Sequence, residues 1–351
     1  MKTMVMKAVG RLPEDEEVMR EAKRIIASGG LVAIPTETVY GLAGNALDPS
    51  SSQKIYAAKG RPSDNPLIVH IADIKDLPVI ACDIPDAAYT LADAYWPGPL
   101  TMILKKTDAV PKETTGGLDT VAVRMPSDET AHEFISICGP YIAAPSANAS
   151  GRPSCTCAKH VVEDLDGKIE LVIDGGEVGI GLESTIVDLT GPVPCLLRPG
   201  YIGRNDLENV IGPVEVDPAV YNKNRPDIPP KAPGMKYRHY APKGTLTIVE
   251  GSREDVISYI NRKCREAALQ GNKCAVLATH ENAGTYEADP VIDIGSRDDI
   301  NAVSHNLFAS LRSCDEEEAD IIYSEGFESN GLGEAVMNRL LKASGNRIVR
   351  L

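Results

Sequence analysis

Aromatic residues are scarce: 351 residues include three Phe and one Trp, so the core must be built from Ile, Val, Leu and Ala. Cationic excess is absent too. Thirty-six Lys and Arg face 50 Asp and Glu, a net charge of −14. That excludes a protein that coats nucleic acid by bulk electrostatics, because phosphate binding needs a cationic surface; a local basic patch is left open. The longest uncharged run, Phe134 to Gly151, is broken by Gly139, Pro140, Pro145 and several Ser and Asn, so no membrane span is expected. The amino terminus turns acidic by Glu14 without an apolar run, so no signal peptide is expected and a cytoplasmic location is. Eight cysteines are scattered along the chain, and no CxxC pair points to zinc or redox chemistry. Free thiols in a reducing compartment are the expected state. The phosphate-loop pattern GxxxxGK-Ser/Thr is missing, as are HExxH, GxSxG and the kinase set. Gly331-x-Gly333 precedes a helical pattern, but it closes the second domain instead of following its first strand, which argues against a dinucleotide fingerprint.

What is present is ordinary for a globular chain: 43% hydrophobic and 25% charged residues. The length favours two domains. Seven prolines lie between Gly212 and Gly244, too many for a helix or a central strand. The end of that stretch carries Lys231, Lys236, Arg238 and Lys243 interleaved with Tyr237, His239 and Tyr240, more than an inert spacer needs. The expected division is therefore residues 1–212, a linker at 213–244, and residues 245–351. In the first part, short apolar runs (31–35, 67–71, 100–104, 120–124, 141–145, 171–173, 185–189) alternate with helical patterns at 14–28, 49–59, 86–95, 128–138 and 158–165. Asp48-Pro49 and Gly60 bracket the second helix as cap, first turn and stop. In the last part, strands at 246–249, 275–278, 291–294 and 321–323 are spaced by helices at 253–270, 298–314 and 333–343, the pattern of a small parallel, Rossmann-like sheet. That part carries 11 basic and 18 acidic side chains, a poor nucleic-acid surface.

Polar residues concentrate where the apolar runs of the first domain end. Thr36-Glu37-Thr38 follow the first, and Lys59-Gly60-Arg61-Pro62-Ser63 lead towards His70. Arg124 closes a strand, Ser146-Ala147-Asn148 follow another, and Glu183-Ser184 and Arg198 flank two more. Each loop alone is turn chemistry. Together, Lys, Arg, Ser, Thr and Asn with few carboxylates suit an anion such as a nucleotide phosphate, in the crevice beyond the strand ends of an α/β sheet.

At these residues the chain resembles the threonylcarbamoyl-AMP synthases with a YrdC-like catalytic domain, along nearly its whole length. The resemblance rests on IPTETVYGL (Ile34–Leu42), Lys59-x-Arg61 with RPSDNPLIVHI after it, APSANASGRPS (Ala144–Ser154), ESTIVD (Glu183–Asp188) and LRPG (Leu197–Gly200). PGMKYRHYAP (Pro233–Pro242) before an α/β domain is similar to the long, two-domain form. The resemblance implies an α/β fold, a YrdC-like twisted mixed-sheet domain followed by a small Rossmann-like domain. It implies a nucleotidyltransferase: L-threonine, bicarbonate or CO2, and ATP give threonylcarbamoyl-AMP and pyrophosphate. A downstream transferase then modifies tRNA with the product, and a direct tRNA contact is left open.

The resemblance also implies roles. Lys59, Arg61, Ser146 and Asn148 would be catalytic, facing phosphates and carbamate. Thr36, His70, Arg124 and Ser184 would hold threonine, with Arg124 on its carboxylate. ATP would meet Lys59, Ser63, Thr120, Ser146, Ser154 and Arg198. Magnesium would arrive on the triphosphate, with no dedicated metal site and no tightly bound cofactor. Tyr237, Arg238 and Tyr240 would act as a lid that shields the carbamate from water. Lys59 and Arg61 are expected on a loop. Two rivals remain: a non-catalytic module binding double-stranded RNA or tRNA, which the net charge opposes, and a carbamoyl-transferring maturation factor, which would need cysteine pairs that are missing.

Overall fold

The computed structural model describes residues 2–221, 232 and 239–351. They fall into two units. Met1–Ser150, Ser154–Gly179 and Glu183–Lys236 form the first; Gly151–Pro153, Ile180–Leu182 and Tyr237–Leu351 form the second. The two short segments join the second unit through main-chain carbonyls: Arg312 donates to Pro153 O at 2.6 Å and the Ser304 hydroxyl to Ile180 O at 2.9 Å.

The first unit runs β1 (Met4–Lys7), α1 (Glu16–Ala27), β2 (Val32–Ile34), β3 (Gly41–Asn45), α2 (Pro49–Lys59), β4 (Ile68–His70), α3 (Leu77–Ile80), β5 (Ala81–Cys82), α4 (Asp86–Tyr95), β6 (Leu100–Lys106), β7 (Thr120–Arg124), α5 (Glu129–Cys138), β8 (Ile142–Ala143), α6 (Ala158–Leu165), β9 (Leu171–Asp174), β10 (Thr185–Asp188), β11 (Cys195–Arg198), α7 (Arg204–Ile211) and β12 (Glu215–Val216). Its strands form one mixed sheet, in the order β1-β9-β2-β3-β8-β4-β7-β6-β10-β11-β12, with β5 on β6. The expected strands and helices all appear. β1, β3, β5, β12, α3 and α7 lie outside the expected elements, and β11 is the strand expected to close at Arg198. β3 was hidden by its glycines, which fit poorly with strand propensity. A Cβ at Gly41 would stand 3.2 Å from that of Ala144, and one at Gly44 3.1 Å from Ile55 and Leu31, so small residues let α2 and β8 come close. β12 falls in the proline-rich stretch and sits at the sheet edge, where prolines do least harm.

Period-2 alternation sends side chains to two faces. Ala33, Val69, Met102, Val123 and Val187 pack with residues of α2, α4, α6 and α7 in one core cluster. On the other face Val32, Ile34, Ala43, Ile142 and Leu171 pack with α1 and α5. That cover ends near β8. Beyond it the same face carries a small cluster, Ile68, Ala122, Ile103, Ile186 and Leu197, with no helix residue in it; its sixth member is Ala232 of the linker. One half of one face is thus left for something other than a helix.

The second unit runs β13 (Thr245–Glu250), α8 (Arg253–Leu269), β14 (Cys274–Ala278), β15 (Val291–Asp293), α9 (Ile300–Glu316), β16 (Ile321–Glu325), α10 (Leu332–Ser344) and β17 (Ile348–Arg350). All pairings are parallel, in the order β15-β14-β16-β13-β17. This is the expected Rossmann-like sheet with one strand more, since the short β17 offered only Ile348 and Val349 as signal. Among the described residues no helix is long and apolar enough to cross a membrane.

Candidate active site

Register places the polar residues. His70 pairs with Arg124, Arg124 with Thr101, Thr101 with Ile186, and Ile186 with Arg198, across five neighbouring strands. Directly paired residues point to the same face. His70 also pairs with Ile142, whose side chain lies on the α1/α5 face, so the row lies on the half-open face. All five positions lie at, or one residue inside, the same end of these strands, called an edge below.

Arg124 is the hub of this edge. It is 4% exposed. Its Nη1 donates to Thr38 Oγ1 at 2.8 Å, Nε donates to Gly98 O at 3.3 Å, and Nη2 lies 2.8 Å from Glu37 Oε2. Thr36 and Thr38 hydroxyls meet at 2.9 Å, which ties Thr36 to the same hub. Burial pushes the Glu37 carboxyl up, but the Arg124 guanidinium and the Ser127 amide outweigh it and hold the carboxyl below the usual range. On the neighbouring strands Ser184 Oγ meets Thr101 Oγ1 at 2.7 Å and accepts from Arg198 Nη2 at 3.0 Å, while Arg198 Nε donates to Ser184 O at 2.9 Å. Ser154 Oγ donates to Glu183 Oε1 at 2.5 Å. Gly200 is required here, since a Cβ would stand 2.5 Å from Thr185 N.

His70 is buried and its ring Nδ1 lies 3.2 Å from Ile68 O. Burial, with the nearby Arg124 charge, pushes its pKa down to about 3, so the ring is neutral at physiological pH. Between that value and the free value of about 6.5, the unfolded chain takes a proton that the folded chain refuses, so stability falls as the pH drops below about 6.5. The denaturation midpoint of His70→Gln should fall less steeply than that of the wild type between about pH 7 and 5; parallel curves would refute the assignment.

The opposite edge of β4 and β7 holds the second cluster. α2 forms as expected, with Asp48 accepting from Ser50 N at 2.9 Å, Pro49 in the first turn and Gly60 at φ 62°. Lys59 therefore does not sit on a loop. It ends the helix, 3% exposed, and its Nζ donates to the carbonyls of Ser146 and Asn148. Ser150 N returns a bond to Lys59 O at 2.8 Å. Ser146 Oγ donates to Asn148 Oδ1 at 2.5 Å. The helix end and the loop after β8 are thus locked together. Arg61 is half-buried and held by Asn65 O at 3.2 Å and Pro66 O at 3.0 Å. Thr120 begins β7, two residues before the Ile68–Ala122 pairing, and so lies at this edge too. Ser63 is exposed.

The expected threonine residues, Thr36, His70, Arg124 and Ser184, thus share one edge, and Lys59, Arg61, Thr120, Ser146 and Asn148 the other. Arg198 and Ser154, expected on ATP, are grouped with the first edge. Sequence reasoning gave no role to Glu37, Thr38, Thr101 or Glu183. Glu37, Thr38 and Glu183 lie inside the quoted motifs, whereas Thr101 follows Pro97-Gly98-Pro99 with no polar neighbour to mark it. Tyr237 and Arg238 lie outside the described residues. Tyr240 is buried in the second unit, its ring 5.0 Å from that of Phe308 and 5.9 Å from the Arg339 guanidinium.

Comparison with known proteins identifies the family. The family profile described as telomere recombination, covering Sua5, YciO and YrdC proteins, matches residues 24–200. That of the threonylcarbamoyl-AMP synthase C-terminal domain matches residues 202–345. The threonylcarbamoyl-AMP synthase of Pyrococcus abyssi is 50% identical over 337 residues, 96% of this chain and 97% of its own. That of Bacillus subtilis is 47% identical over 340 residues, 97% and 96% of the two chains. The crystal structure of P. abyssi Sua5 complexed with L-threonine superposes with a TM-score of 0.93 at 48% identity, covering all of both chains. The chain belongs to the threonylcarbamoyl-AMP synthase family, enzymes that use ATP to form an adenylate.

Proposed function

We propose that threonylcarbamoyl-AMP is assembled on the open half of the sheet face, with threonine at the Arg124 edge and the nucleotide phosphates at the Lys59 edge. The observation that carries this is the separation of the two clusters along the segment that ends in β4: from Pro66 to His70 an extended chain rises about 13 Å, room for threonine, a carbamate and a phosphate in line. Arg124 offers a buried guanidinium to the threonine carboxylate, already oriented by Thr38 and Glu37. The neutral His70 ring and the Thr36 and Ser184 hydroxyls suit the amine and side-chain hydroxyl. The neutral amine nitrogen attacks bicarbonate, from which a water leaves, or CO2, in which case the amine gives up a proton to solvent. A carbamate oxygen then attacks the α-phosphorus while the bond to the β-phosphate oxygen breaks and pyrophosphate departs.

Lys59 and Arg61 neutralise charge that shifts onto the departing phosphates, and the Ser146–Asn148 loop fixes the phosphate position. Among the described residues no cluster of three His, Cys, Asp or Glu fits a metal. The donor set here is cationic and hydroxylic, so the proposal has magnesium arrive with the nucleotide and derives no step through it. Ala232, buried on this face, supports a linker that covers the cleft and keeps water from the carbamate. The product, a reactive mixed anhydride, calls for a transferase acting on tRNA to consume it.

The purified chain with ATP should release pyrophosphate only when threonine and bicarbonate are both present, without tRNA. Equal release without threonine would reject the mechanism and favour simple nucleotide hydrolysis.

A further inference from the structure

The parallel sheet of the second unit has a switch point. From β13 the chain crosses past β16 to β14, whereas from β16 it crosses past β13 to β17. Right-handed crossovers in opposite directions put α8 and α10 on opposite faces, so a crevice opens beyond the carboxyl ends of the adjacent strands β13 and β16. A cavity of about 460 Å³ lies there, lined by the ends of both strands, by Arg253 and Val256 of α8, and by Glu281, Arg297 and Phe327.

We propose that this cavity binds a nucleoside monophosphate. Its floor is rigid. The buried Glu325 carboxylate accepts from Thr279, Asn282, Tyr286 and Arg297 at 2.6–3.1 Å. Arg297 also donates to Gly326 O at 2.9 Å and lies 5.1 Å from the Phe327 ring centroid, a flat surface on which a base stacks. Arg253 is steered by Asn282 Oδ1 at 2.6 Å and Glu281 O at 3.0 Å, and stands in the first turn of α8, whose amino-terminal end favours a phosphate. Glu250 and Glu281 supply acceptors for ribose hydroxyls. The Glu281 carboxyl is held at about 2, chiefly by the Ser296 hydroxyl, so it stays an acceptor at physiological pH. Charge limits the number of phosphates: two arginines stand against four glutamates in the lining, so every phosphate beyond the first adds uncompensated negative charge. Size disfavours a free amino acid, which would leave most of the volume empty.

The test uses the full chain and 8-azidoadenosine monophosphate, with photolabelled peptides mapped by mass spectrometry and affinity for adenosine monophosphate measured by calorimetry. Label should fall within residues 245–351, and Arg253→Ala should weaken binding about tenfold to hundredfold, with threonylcarbamoyl-AMP synthesis unchanged. Arg253→Lys, which keeps the charge but loses the fork, should fall between. Adenosine triphosphate should compete poorly for this label. Label confined to residues 1–212, or affinity unmoved by both variants, would overturn the proposal whatever the fate of the catalytic reading.

Discussion

Lys59→Met should abolish most synthesis and also lower the melting temperature, whereas Arg61→Ala should lose synthesis with little change in stability. The two residues stand on either side of Gly60, yet the fold treats them differently. The Lys59 ammonium is buried between the Ser146 and Asn148 carbonyls. Removing it strips both of a charged donor, at about 1–3 kcal/mol for each group left unsatisfied. For the two groups together, in a unit of this size, that corresponds to a drop of about 4–24 °C. The catalytic loss adds to it: a missing preorganised donor in a reaction dominated by charge neutralisation costs about 3–4 kcal/mol, or two to three orders of magnitude in turnover. Arg61 is half-buried and serves two carbonyls of its own loop, so its truncation leaves water access to both. Pyrophosphate release and thermal melts of the two variants read both effects. Normal turnover in either variant would remove it from the phosphate site, and an unchanged melt for Lys59→Met would show that the loop after β8 holds without it.

This contrast marks how far the sequence could be read. Asp48-Pro49 and Gly60 give the limits of α2 because caps and stops are local chemistry. They do not say that the last residue of the helix turns inward, which depends on the loop after β8 arriving from 87 residues away. The same holds at the other edge. His70, Arg124, Ser184 and Arg198 are recognisable as polar residues at strand ends, but their order across the sheet comes from non-consecutive pairing that no local pattern encodes. Glu37 is hard to read from sequence for a related reason. A carboxylate in an anion site looks misplaced until its partner, 87 positions on, is seen to be Arg124. The Rossmann-like unit was easier, since regular strand–helix alternation determines a parallel sheet almost by itself.

Arg124→Met should raise the Michaelis constant for threonine at least a hundredfold, more than it alters that for ATP. A buried charged bidentate contact to a carboxylate, once removed, costs about 3 kcal/mol or more. The second effect concerns Glu37. In the wild type its carboxyl is held down, chiefly by Arg124 acting against burial. A depressed folded pKa contributes stability that is present above the unfolded value of about 4.3 and is lost only as the pH falls through the folded value. Without Arg124 only backbone amides such as that of Ser127 oppose burial, the largest influence, so the carboxyl titrates upward and the sign reverses: the variant should become less stable as the pH rises through the new value. Glu37→Gln in the Arg124→Met background removes that titrating group, and should restore a flat stability profile near neutral pH without restoring threonine affinity. Denaturation across pH, with threonine-dependent pyrophosphate release at each step, separates the two roles. A double variant that recovered threonine affinity would show that the unpaired Glu37 carboxylate had been the obstacle, and would reject Arg124 as the group that binds the threonine carboxylate.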